Sequence, residues 1–143
     1  MFEELLAFAL LLDVGIASLS EYHEYLDEHF LKTPDNDLLM ELEWHSSDMR
    51  ESISIIRNYC YGDGIDYDVF GRFLFSKLEE IYRQTRMSIQ DFGKKSYAIW
   101  QQFPETIQQV EPFWTLCYAD DPLSWCDEKQ SRELYEKAFR FFK

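Results

Sequence analysis

Three histidines, a serine–aspartate cluster and a run of aspartates are the side chains whose types could do chemistry. The first stretch is His23-Glu24-Tyr25-Leu26-Asp27-Glu28-His29. A zinc-binding His-Glu-x-x-His helix needs its histidines four apart, on one face. Six apart, at about 100° per residue, His23 and His29 point roughly 120° from one another and do not share an ion. His29 is expected at the edge of a core and His23 at the surface. A metal-dependent hydrolase would instead need His23, His29 and His45 to converge with a carboxylate. The second stretch, His45-Ser46-Ser47-Asp48, holds the letters of a nucleophile, a base and an orienting acid. Neighbours in one helix cap cannot adopt that geometry, which draws on separate parts of a fold. The third, Asp63-Gly64-Ile65-Asp66-Tyr67-Asp68, is tested against a calcium loop with ligands at positions 1, 3 and 5, Gly at 6 and Glu at 12. Counted from Asp63, positions 3, 6 and 12 are Ile65, Asp68 and Leu74. It reads as a polar turn leading into a helix N-cap. Only five glycines are present and none forms a phosphate loop. No catalytic residue, metal or cofactor is expected, and the chain is expected not to be an enzyme.

The carboxylates are better organised than these candidates. Net charge is −13. Residues 1–70 hold sixteen acidic side chains against three basic ones, Lys32, Arg50 and Arg57, whereas residues 71–143 hold eleven of each. Glu21, Glu24, Asp27 and Glu28 fall opposite an apolar helical stripe. Asp35, Asp37, Glu41 and Glu43 follow, then Asp63, Asp66 and Asp68. A solvated face is the plain reading, balanced in part by Arg72, Lys77, Arg83 and Arg86. Like charges at i and i+4, as in Glu24/Glu28 and Asp37/Glu41, nevertheless cost a helix a few tenths of a kcal/mol each. These eleven residues are the expected partner-binding set. Such a surface lacks the basic groups that phosphates or anionic lipid require, so neither nucleic acid nor a membrane is the expected partner. A cationic protein is.

Helices must position these groups. Leu19, Tyr22, Leu26 and Phe30 make a helical stripe behind Ser18, with Glu21 in a capping-box position. Met49, Ile53, Ile56 and Cys60 repeat it, with Ser47 as N-cap and Gly62 past the end. Phe70, Leu74, Leu78 and Ile81 mark a helix to about Thr85, and Ser88 with Asp91 opens another. Pro104 suits the first turn of the next segment and Pro112 breaks it. Asp127 caps a last helix carrying Leu134, Tyr135, Ala138, Phe139 and Phe142. Phe113, Trp114 and Trp125 either pack in the core or line a groove. No stretch alternates with period two. An all-α chain is expected, folded over residues 1–143 as a single irregular bundle of about seven helices.

An aromatic content of 17% supplies bulky packing material, which disordered acidic chains lack. Cys60, Cys117 and Cys126 form no disulfide framework and fit a reducing cytoplasm. Leu5 to Leu12 is too short to span a membrane. Gly15-Ile16-Ala17 has the small residues of a signal-peptide cleavage site, but Glu3 and Glu4 stand where such a peptide carries Lys or Arg. A buried first helix in a cytoplasmic protein is the expectation.

In size, acidity, aromatic richness and helical pattern, and in the stretch Asp35-Asn36-Asp37-Leu38-Leu39-Met40-Glu41-Leu42-Glu43-Trp44, the chain resembles the immunity proteins of bacterial toxin–immunity systems, particularly those of contact-dependent growth inhibition. That resemblance implies an antitoxin that binds a toxin domain, often a cationic nuclease, and blocks its active site or substrate groove. A nucleic-acid mimic that inhibits another host protein is the close alternative. A metal-dependent hydrolase and a helical adaptor are the more distant ones.

Overall fold

The computed structural model describes residues 2–60 and 64–143; among them every regular element is helical. They gather into two compact units, Met1–Asp66 and Tyr67–Lys143. The described residues hold nine α-helices and one short 3-10 helix against the expected seven or so. The segment after Pro104 is broken at Pro112, as expected, into two four-residue helices, and the 3-10 turn follows in what was expected to be a loop.

The first unit holds α1 (Phe2–Asp13), α2 (Leu19–Lys32), α3 (Asp37–Trp44) and α4 (Met49–Cys60). Every residue from Leu5 to Leu12 is buried, so α1 is apolar on all sides and packs chiefly against α4. It ends at Gly15, whose φ of 76° no β-carbon favours. The amides of Gly15 and Ile16 donate back to the Leu12 and Leu11 carbonyls, at 3.1 and 2.9 Å. Ile16 is itself buried. The residues Gly15-Ile16-Ala17 are thus a helix stop with a hydrophobic latch. Ser18 caps α2 by accepting from the Glu21 amide, and Asn36 caps α3 by accepting from that of Leu39. At α4 the cap is Asp48, which accepts from the Glu51 amide, and not Ser47. An aspartate immediately before the first helical residue outcompetes a serine one position earlier. Gly62 and Asp63 lie outside the described residues.

The second unit holds α5 (Tyr67–Gln84), α6 (Ile89–Gln101), α7 (Glu105–Gln108), α8 (Thr115–Tyr118), the 3-10 turn Asp121–Trp125 and α9 (Glu128–Arg140). Ser88 and Asp127 cap α6 and α9 as their positions predict. Two aromatic clusters fill it. Phe70, Phe103 and Phe113 meet with ring centroids about 6 Å apart. Tyr82, Phe92, Tyr135 and Phe139 form the other. Gly93 lets α6 closely approach Asp120, the residue before the 3-10 turn, since a β-carbon there would lie 2.8 Å from that of Asp120.

Candidate binding surface

The acidic residues expected to meet a partner are mostly exposed in the first unit. Glu24, Asp27 and Glu28 are exposed on α2, and Glu21, beside the cap, is half-buried. Asp35 and Asp37 are exposed at the start of α3, Glu41 is exposed on it, and Glu43 is half-buried. Asp66 is exposed and its amide donates to Glu3 Oε1 at 3.2 Å. Asp68 belongs to the second unit, in the first turn of α5. Asp63 lies outside the described residues. The carboxylates of α2 and α3 share a helix pair.

Asp27 and Glu43 meet across that pair. Burial, reinforced by the Asp27 carboxylate beside it, raises the Glu43 carboxyl above its ordinary range, with the nearby His23 opposing. The charged form of Glu43 is thus disfavoured at this helix pair. Burial, with the Glu43 carboxylate adding to it and Ser52 opposing, pushes the Tyr22 phenol up to about 12. His23 itself is half-buried and not on the surface, because its Nε2 donates to the Ser46 carbonyl. His29 stacks on Tyr25 and donates Nδ1 to the Tyr25 carbonyl at 3.0 Å, with Nε2 3.9 Å from Glu4. The two rings therefore serve different backbone acceptors. Residues 45–48 form the turn between α3 and α4, where the His45 carbonyl accepts from Ser52 Oγ. Among the described residues, no three His, Cys, Asp or Glu side chains are grouped as metal ligands.

Cations are scarce in this unit. Lys32 pairs with Glu28 at 3.1 Å and Arg57 lies 3.7 Å from Asp13. Glu24, Asp27, Asp35, Asp37 and Glu41 meet no Lys or Arg at ion-pair distance among the described residues. Three of the four expected counter-charges have contacts of their own. Arg72 donates to the Phe142 carbonyl, Lys77 lies near Glu80, and Arg83 pairs with Glu79, all in the second unit. Within the first unit, Glu28 is the carboxylate of α2 and α3 that pairs with a lysine among the described residues.

No family model, curated protein or solved structure matches this chain.

Sequence reasoning passed over the apolar residues on the same helix pair. Trp44 is 86% exposed, Met40 51% and Leu31 80%. Their signal was the α3 pattern itself: Leu38, Leu39 and Leu42 complete the buried face, which leaves Met40 and Trp44 turned outward at i and i+4. The aromatic residues it did single out separate. Phe113 is core, whereas Trp114 and Trp125 are exposed. The groove of about 300 Å³ in the second unit is lined by Pro112, Leu134 and Phe141 and by none of those three.

Proposed function

We propose that this chain is an inhibitory binding protein of the immunity type, which captures a cationic protein such as a nuclease toxin domain and covers its phosphate-binding surface. The observation that supports this most is the carboxylate set of α2 and α3: Glu24, Asp27, Asp35, Asp37 and Glu41, exposed and with no Lys or Arg at ion-pair distance among the described residues. A nuclease groove is basic because it holds phosphates. Carboxylates complementary to it steer encounter and penalise partners of the wrong sign. In this reading the protein works in the cytoplasm and needs no cofactor. Its capped helices, with Ser18 and Asn36 fixing α2 and α3, present the charges on a rigid frame, which limits the ordering cost of binding.

The test is binding to a basic nuclease domain encoded beside this chain. Glu24→Lys, Asp35→Lys and Glu41→Lys combined should leave the helical spectrum intact, since all three side chains are exposed. Association at about 0.05 M salt should slow at least about tenfold, because steering is lost. Glu133→Lys with Glu136→Lys in the second unit should change it little. An unaltered rate and affinity in the triple variant, with binding abolished by the second-unit pair, would make the α2–α3 face a solvated surface only.

A further inference from the structure

Exposed apolar area is seldom contiguous on a highly charged unit, and where it is, it marks a contact. On α3, Asp37, Met40, Glu41 and Trp44 stand at i, i+3, i+4 and i+7, on one face of the helix. On α2, Leu31 stands one turn beyond Asp27, on the side where Asp27 meets Glu43 of α3. Met40 and Trp44 therefore share the outer face of α3, and Leu31 is exposed on α2, the helix packed against it. Trp44 is the most exposed large apolar side chain described. Tryptophan is the residue most enriched among side chains that dominate binding energy, and arginine or lysine stacks favourably on its face.

We propose that Leu31, Met40 and Trp44, flanked by Asp37 and Glu41, form the apolar anchor for an amphipathic, arginine- or lysine-bearing segment of a protein partner. This rests on the reading of the chain as a binder of cationic proteins, and it assigns where affinity, as distinct from steering, resides. Charge decides the occupant. Met1–Asp66 carries fifteen acidic side chains against three basic ones, so a second copy that docked through its own α2–α3 face would bring like charge to this one. An anionic bilayer is repelled in the same way. A cationic segment satisfies both features: its side-chain stems and apolar residues cover Met40 and Leu31, and its charged heads lie over Trp44 and between Asp37 and Glu41.

The full chain labelled with 5-fluorotryptophan tests this by fluorine NMR, with Trp44→Phe assigning the Trp44 signal among the four tryptophans. The probe is a synthetic amphipathic peptide of arginine and leucine; its comparator replaces leucine by serine. The Trp44 signal should move on adding the first peptide while those of Trp114 and Trp125 stay. Trp44→Ala and Met40→Ser should each weaken binding at least about tenfold without altering the fold, as both side chains are exposed. The serine peptide should bind more weakly. Salt-sensitive peptide binding that leaves the Trp44 signal in place and is indifferent to Trp44→Ala overturns the anchor while sparing the acidic-face reading. Failure of either peptide to bind overturns both. A concentration-dependent dimer abolished by Trp44→Ala, or adsorption to phosphatidylglycerol vesicles, hands the ridge to another occupant and overturns it too.

Discussion

Glu43 gives the first unit a pH response of unusual sign. Most structural carboxylates are held below their ordinary range by cations, and their contribution is lost in acid. Glu43 is raised instead, by burial first and by Asp27 second, with His23 as the one favourable neighbour. Between its unfolded value near 4.5 and its higher folded value, the folded chain holds the extra proton. Stability from this site therefore falls as pH rises through that window. Glu43→Gln keeps a donor for Asp27 and removes the second charge. At pH 7 it should raise Tm by roughly 2–4 °C, the shift that goes with about 1 kcal/mol in a chain of this size. Below about pH 4 the difference should vanish, as thermal melts across pH would show. None of this was legible from residue types. Sequence spacing places Glu43 in a row of acids, whereas its behaviour comes from Asp27, sixteen positions away and on another helix. The same holds for His23, read as a surface residue until the Ser46 carbonyl is found beside it.

At the scale of helices, sequence was a better guide. Ser18, Ser88 and Asp127 each precede a helix and each accepts an amide three residues on, a local geometry that residue type alone can specify. The Ser47 assignment failed because two capping residues stand side by side and backbone geometry, not propensity, chooses between them. Between residues 104 and 125 the break at Pro112 was legible, whereas the extent of each short piece was not. A helix of four residues completes little more than one turn, so no periodicity can announce it. The all-apolar run of α1 was read as wrapped by other helices, and Leu6 and Leu10 are indeed almost wholly buried. Leu6→Ala and Leu10→Ala should each cost about 2–5 kcal/mol, because transfer free energy is lost and a cavity remains. Denaturant titration should show the midpoint falling with little change in slope. Unaltered midpoints in both variants would place α1 outside the core.

For the molecule as a whole, the boundary between the two units at Asp66 and Tyr67 falls almost where the acidic excess ends. The charge difference between the halves was visible in composition. The boundary was not, since no run of Pro, Gly or Ser marks it. The apolar ridge was missed because exposure is a property of the assembled unit; Met40 and Trp44 become outward-facing only once the three leucines of α3 are known to be inward. The segregated charge carries an expectation of its own. Association with a basic protein partner should slow steeply with ionic strength, by about tenfold or more between roughly 0.02 and 0.5 M salt, while dissociation changes less. Stopped-flow mixing at several salt concentrations measures this. A rate independent of salt would mean that the carboxylates take no part in encounter.

The apolar completeness of α1 also shapes how the chain comes into being on the ribosome. Leu5 to Leu12 leave the exit tunnel well before α4, the helix they chiefly pack against, has been made. Nearly fifty residues separate Asp13 from Cys60, so at about 5–20 residues per second the segment waits several seconds for that cover. During that interval it offers nascent-chain chaperones an unbroken greasy segment, and Glu3 and Glu4 are the nearest charges on its N-terminal side.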